Sequence, residues 1–228
     1  MQLRYPIVSF DLDLTLIFHV KSNRQEQVVA MLNRRGYPTT LDDYRAALHI
    51  AREFYDVLGY QYAQDPALLR FEYVRLVLEY LGCRDPSTLD AVAAFYREYD
   101  EQPANFHTPD DARTLLAAVQ TSGHRLVAIS SNLMAAQRAT YCGLDGFFAD
   151  ILTPVLGCAK PELYRVMLER MPVEPAQILH IGDDPIRDVL APRRYGIDAV
   201  LFDPREKHAR LAWPAVAHSY PALRSWIR

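Results

Sequence analysis

Residues 6–15 read Pro-Ile-Val-Ser-Phe-Asp-Leu-Asp-Leu-Thr. The apolar run from Pro6 to Phe10 is too short for a helix and suits a strand buried on both faces, the environment of a parallel sheet. It gives way at once to Asp11, Asp13 and Thr15. In open α/β sheets, ligands bind in the crevice just past the C-terminal ends of the strands. Like charges this close repel, and a divalent cation is the usual compensation. The plain alternative is a turn or capping cluster, since Asp and Thr favour those positions.

Working outward, Arg125–Ile129, Ile178–Gly182 and Ala199–Phe202 repeat the same strand texture, with Asp150–Leu152 as a shorter example. Helical patterns fill the intervals. Thr108-Pro109-Asp110-Asp111 offers a cap residue, a Pro and first-turn acids, and Gly123 closes that segment. Pro161–Met171 and Arg187–Tyr195 read similarly. Strand–helix alternation predicts an α/β fold with a Rossmann-like parallel sheet.

Residues 18–103 interrupt this pattern and contain no convincing strand. Ser22-x-x-Gln25 is a capping box ahead of Val28 and Leu32, with Gly36 as the stop. Leu41, Tyr44, Leu48, Ala51, Tyr55 and Leu58 then recur at helical spacing. Asp65-Pro66 starts a third helix ending at Gly82, and Ser87-x-x-Asp90 a fourth running toward Tyr99. The expectation is a four-helix bundle, 18–103, inserted into a core made of residues 1–17 and 104–228.

Composition excludes several classes. The 228 residues carry 25 basic and 28 acidic side chains, a near balance that sets up no strong field for nucleic acid or an anionic membrane. No apolar run approaches the roughly 18 residues a membrane span needs. The N-terminus reaches acidic residues too soon for a signal-peptide core. Cys83, Cys142 and Cys158 form no CxxC pair, so core-filling thiols in a reducing cytoplasm are expected. The histidines form neither HxH nor HExxH, which argues against a histidine-based metal site.

Three further strand ends carry chemistry. Ile129 runs into Ser130-Ser131-Asn132, hydroxyls at a helix start where backbone N–H groups hold phosphates, or an ordinary N-cap. Gly157-Cys158-Ala159-Lys160-Pro161-Glu162 sets a Lys before a Pro-started helix, where it could equally be a solvated lysine. Ile178–Ile181 runs into Gly182-Asp183-Asp184, with Asp188 following, an acid cluster that could simply complement a helix dipole. Each bland reading is respectable alone. All of them at successive strand ends is a different matter.

In these motifs the chain resembles the haloacid dehalogenase-like superfamily, in the subgroup (subfamily I, C1 cap) with a helical cap after the first motif. Asp11-Leu12-Asp13-Leu14-Thr15 resembles motif one, the Ser-Asn step motif two, Lys160-Pro161 motif three, and Gly182-Asp183-Asp184-Pro185-Ile186-Arg187-Asp188 motif four. Leu14 departs from the Gly often found there. The resemblance implies a Mg²⁺-dependent phosphatase acting on a small phosphorylated metabolite, with Asp11 as nucleophile forming an aspartyl-phosphate. Asp13 would be the acid and then the base. Asp11, Asp13 through its backbone carbonyl, and Asp183 would hold the metal, with Asp184 and Asp188 behind them. Lys160 and Ser131 would stabilise the phosphoryl oxygens, with Thr15, Ser130 and Asn132 as further phosphate contacts. Ser130 and Ser131 remain alternatives for the phosphate hydroxyl. A phosphomutase, a dehalogenase or phosphonatase-type hydrolase, a phospho-accepting receiver and a catalytically silent binding protein are the rival readings. Receivers are about half this length, and Asp13 favours phosphate chemistry over dehalogenation. His19 and Tyr60-Gln61-Tyr62, expected in a helix-connecting loop, are the specificity candidates. Neither the substrate nor the oligomeric state is written in the chain.

Overall fold

The computed structural model describes residues 3–20, 23–62, 64–154, 158–210 and 213–227. The capping box at Ser22 and the start of the third motif at Gly157 lie outside the described residues. The chain divides into two compact units, one built from residues up to Phe18, Phe106–Pro154 and from Cys158 onward, the other from His19–Asn105.

The strands are β1 (Ile7–Phe10), β2 (Phe18–His19), β3 (Phe106–His107), β4 (Arg125–Ile129), β5 (Asp150–Leu152), β6 (Ile178–Gly182), β7 (Asp198–Phe202) and β8 (Val216–Ala217). Six of them form one sheet in the order β5-β4-β1-β6-β7-β8, with every neighbouring pair parallel. The strand bearing Asp11 is central: Ile7 pairs with Arg125 on one side and with Ile178 on the other. β1 and β6 are buried at every position, which explains their unbroken apolar texture. β2 and β3 pair separately as a two-stranded sheet where the chain leaves this unit and returns.

The helices are α1 (Arg24–Arg34), α2 (Leu41–Glu53), α3 (Tyr55–Tyr62), α4 (Pro66–Tyr80), α5 (Pro86–Asp100), α6 (Asp110–Thr121), α7 (Ala135–Tyr141), α8 (Lys160–Arg170), α9 (Ala191–Arg193) and α10 (Tyr220–Ile227). One face of the sheet packs Ile7, Val127, Ile129 and Ile178 against Leu163, Tyr164 and Met167 of α8. That packing, at about 1.5–3 kcal/mol per fully buried large apolar side chain, presses the start of α8 onto the strand ends.

The helical unit has its own core: Val28 and Leu32 of α1, Tyr44, Ala47 and Ala51 of α2, Val74, Val77 and Leu78 of α4, and Val92 of α5. Its helix starts are chemically explicit. Thr40 and Asp43 form a reciprocal capping box, and Asp65 accepts the N–H groups of Ala67 and Leu68 at 3.0 and 2.9 Å.

Several local expectations are corrected. The helix expected through Leu58 stops at Phe54, whose N–H turns back to the Ala51 carbonyl, so the insertion holds five helices among the described residues rather than four. Tyr60-Gln61-Tyr62 consequently lies in α3, not in a loop. α5 is capped by Asp85, two residues ahead of Ser87, and α6 by Pro109 without a side-chain bond from Thr108. The single helix expected over 187–195 is a π-helical segment, Pro185–Leu190, followed by α9. The two-residue strands β2, β3 and β8 are too short to leave a period.

Leu32 is fully buried in the helical unit. Leu32→Ala is expected to lower that unit's stability by about 2–5 kcal/mol. Native-state hydrogen exchange should show the loss in α1, α2 and α4 while β1 and β6 keep their protection.

Candidate active site

Asp11 follows β1 directly, and its backbone N–H donates to the Ile181 carbonyl at 2.8 Å, so the parallel register fixes it against the end of β6. It is 4% exposed. The chain then coils tightly: Leu16 N–H and Ile17 N–H both reach the Leu12 carbonyl, at 2.9 and 2.8 Å. This turn places Leu14 at φ 65°, left-handed backbone that costs a non-Gly residue about 1–2 kcal/mol. A Gly there would be free of that strain.

Lys160, the first residue of α8, is buried and ion-paired to Asp11, and its Nζ lies 2.6 Å from Asp188 Oδ1. Asp188 Oδ2 accepts the Asp184 N–H at 3.0 Å, and Oδ1 also faces His180 Nε2 at 3.2 Å. Both Asp188 oxygens are therefore engaged within the protein. Gly182 makes this closure sterically possible, because a Cβ on it would sit 2.6 Å from Asp188 Cβ. Asp11, Asp183 and Asp188 each offer an oxygen, all within 4.8 Å of one another.

Asp13 occupies a different environment. Arg138 donates to its Oδ1 at 2.7 Å and Asn132 to its Oδ2 at 2.9 Å, with the Asp13 side chain 30% exposed. Arg138 itself lies over the Phe106 ring, its Cζ 4.6 Å from the centroid. Asn132, expected as a phosphate contact, donates its amide to Asp13, and its Oδ1 accepts the Met134 N–H. Ser130 is buried and accepts the Asn132 N–H, while Ser131 is half-buried, which separates the two hydroxyls. α7 begins only at Ala135, so these hydroxyls sit in the turn ahead of it rather than on its first residues. Thr15 is fully buried with its hydroxyl 3.4 Å from Asp11 Oδ2, so it faces the carboxylate rather than solvent. Asp184 caps the following segment through Ile186 and Arg187 N–H and pairs with Arg187. Arg138, Tyr164, His180 and Ser9 belong to no sequence motif. The signal for the last two was a lone polar residue inside each of two apolar strands.

Residues 5–196 match the family profile described as haloacid dehalogenase-like hydrolase. The chain belongs to that family. A curated relative, haloacid dehalogenase-like hydrolase domain-containing protein 3 of Xenopus laevis, is 25% identical over 215 residues, covering 91% of this chain and 87% of its own. Among solved structures, a HAD hydrolase from Bacillus subtilis bound to magnesium is 19% identical with a TM-score of 0.72, covering 98% of this chain and 99% of that one. An L-2-haloacid dehalogenase is 16% identical with a TM-score of 0.70 over 98% of both chains. A predicted phosphoglycolate phosphatase from Haemophilus somnus is 17% identical with a TM-score of 0.66 over 99% of both. At these identities the structural likeness is one of fold.

The electrostatics of this haloacid dehalogenase-like hydrolase suit a cation. Burial, followed by the neighbouring charges of Asp188 and Asp183, holds the Asp11 carboxyl well above the usual range against the opposing pull of Lys160. Burial alone would lower Lys160, but Asp11 and Asp188 outweigh it and raise its pKa. Burial would raise Asp188, but Lys160 and His180 hold it low. Asp11, Asp183 and Asp188 lie close together while the Lys160 ammonium pairs with Asp11 and Asp188, and an all-oxygen donor set of this kind fits a hard divalent cation. Among the described residues no helix is long and apolar enough to cross a membrane.

Two outcomes follow from this packing. Gly182→Ala is expected to displace Asp188 and cost about 1–3 kcal/mol, read as a lower urea midpoint. Asp11 has a folded pKa above its unfolded value of 3.8, so its carboxyl favours folding below that pH and opposes it as the pH rises through the folded value. Asp11→Asn should therefore melt higher than the natural chain at pH 7 in metal-free buffer, by about 2–4 °C per kcal/mol relieved. An unchanged or lower midpoint contradicts that.

Proposed function

We propose that this hydrolase is a Mg²⁺-dependent phosphatase that cleaves a small phosphorylated metabolite through an aspartyl-phosphate on Asp11. The observation that carries the reading is the separate tethering of two carboxylates two residues apart, Asp11 by Lys160 and Asp13 by Arg138 and Asn132. A nucleophile and a proton carrier need different surroundings, and these two residues have them.

An Asp11 carboxylate oxygen forms a bond to phosphorus as the substrate's ester oxygen leaves, and Asp13 gives that oxygen its proton. Asp13 then takes a proton from water as that water attacks phosphorus, freeing phosphate and regenerating the Asp11 carboxylate. Lys160 and Ser131 bind the phosphoryl oxygens and stabilise the charge gathered there. When bound by Asp11, Asp183 and the Asp13 backbone carbonyl, the metal ion supplies charge neutralisation at the phosphoryl group.

The helical unit is read as the cap that selects the substrate and excludes water. Within it, His19 packs against Tyr99 at a centroid distance of 5.8 Å, and Arg24 lies over the same Tyr99 ring at 4.8 Å. This cationic, aromatic cluster is the specificity surface of the reading. The three cysteines are buried free thiols, which suits the cytoplasm as the place of action.

The test is hydrolysis of an aryl phosphate in Mg²⁺, alongside a panel of phosphorylated metabolites scored by kcat/KM. Asp11→Asn should lose at least about a thousandfold in kcat with its fold intact. Asp13→Asn should be similarly impaired and trap phosphoenzyme, and chelation by EDTA should silence the natural chain until Mg²⁺ is restored. Activity surviving in Asp11→Asn would overturn the nucleophile. Halide release from a 2-haloacid without phosphate release would favour the dehalogenase, and isomer formation from a sugar phosphate the mutase.

A further inference from the structure

We propose that His180 and Tyr164, aligned by Ser9, are positioning residues for the nucleophile: they fix the Asp188 carboxylate that keeps Lys160 against Asp11. The inference deepens the phosphatase reading and rests on it for its kinetic consequence.

Ser9 of β1 and His180 of β6 are direct partners in the parallel register. They are the only polar side chains in Ile-Val-Ser-Phe and Ile-Leu-His-Ile-Gly, and both are fully buried. A buried polar group without a partner costs about 1–3 kcal/mol, so two of them facing each other inside an apolar sheet call for a purpose. Ser9 Oγ lies 2.8 Å from His180 Nδ1. On the other side of the ring, His180 Nε2 lies 2.9 Å from the Tyr164 hydroxyl and 3.2 Å from Asp188 Oδ1.

Matching donors to acceptors gives one consistent arrangement of protons along this chain. Two partners of the Tyr164 hydroxyl can only accept, the Arg187 carbonyl at 2.8 Å and Asp188 Oδ1 at 3.4 Å, and its single proton goes to the nearer. The Tyr164 oxygen is then an acceptor, and His180 Nε2 carries the hydrogen shared between Tyr164 and Asp188. In the neutral ring Nδ1 is left as an acceptor, and Ser9 donates to it. Edge-on contact between the Tyr164 and His180 rings, centroids 4.9 Å apart at 82°, fixes their mutual orientation.

The chain of bonds ends on the reacting atoms. His180 approaches the same Asp188 oxygen that binds Lys160, while the Asp184 N–H holds the other oxygen. Rotation of the Asp188 carboxylate is thereby blocked at both ends, and the Lys160 ammonium is left one position, against Asp11. An apolar pair in place of Ser9 and His180 would remove the ring that meets Asp188 Oδ1 from the sheet side.

The experiment compares Ser9→Ala, Tyr164→Phe, His180→Gln and His180→Leu. It reads kcat and KM on p-nitrophenyl phosphate in saturating Mg²⁺, thermal unfolding, and acetylation of Lys160 by an amine-directed reagent followed by peptide mass spectrometry. The exposed Lys207 is the internal labelling control, in a chain with only three lysines. His180→Leu is expected to lower kcat about tenfold or more with KM within about twofold, and to raise Lys160 acetylation severalfold relative to Lys207. His180→Gln, which retains a side-chain N–H donor, should recover much of both losses. Ser9→Ala and Tyr164→Phe should each lower kcat a few-fold, and Ser9→Ala should add nothing in the His180→Leu background. Unchanged kcat and labelling in folded His180→Leu overturn the inference, as does a Ser9→Ala loss that persists in that background. If His180→Leu does not fold, Ser9→Ala and Tyr164→Phe decide by the same readouts. If the natural chain leaves the aryl phosphate intact, the phosphatase reading falls, and Lys160 labelling still decides whether His180 positions it.

Discussion

A buried ammonium shared between two carboxylates is the interaction around which the sheet end is organised. Removing Lys160, Asp11 and Asp188 from water costs several kcal/mol per ion, recovered only if the charges meet in good geometry with their remaining bonds filled. Each nearby element serves that geometry. The register of β1 against β6 delivers Asp11, the packing of Leu163 and Met167 delivers the start of α8, and Gly182 leaves room for Asp188. The chain uses Arg almost everywhere else, with three Lys among 25 basic residues. Between two carboxylates in a sealed space, a compact point charge fits where a planar guanidinium fork would not.

The two motif-one carboxylates show how one short segment yields two environments. Asp11 is sealed beneath the strand ends with an ammonium, and Asp13 sits past the turn with a guanidinium and an amide, its side chain nearly a third exposed. Extended backbone would aim both side chains the same way. The tight coil at Leu12–Ile17, strained at Leu14, is what sends them apart.

The acids were legible because their motifs follow apolar runs that read as strands, and a parallel sheet gathers its strand ends along one edge; Lys160 was legible from its place before a Pro-started helix. The sheet itself was legible from the same apolar runs. Arg138 was not, since it sits in a seven-residue helix with no pattern, and only the folded chain brings it to Asp13. Asn132 was visible as a residue but not in its orienting role, because which side chain it meets is a long-range fact. Ser9 and His180 were each visible as interruptions of apolar strands; their pairing depends on register, which sequence periodicity leaves open. The break at Phe54 had no Gly, Pro or cap residue to announce it.

The insertion departs and returns through the paired strands β2 and β3, and the Val20 N–H donates to the Asn105 carbonyl at 2.9 Å just beyond them. A long excursion whose two ends are bonded side by side is, to the sheet, equivalent to a tight loop. Loop-closure entropy grows only with the logarithm of length, so five helices burden the sheet scarcely more than a short turn would. The doorway thus makes the helical unit a replaceable part: evolution could lengthen, trim or exchange it without disturbing a single strand pairing behind Asp11.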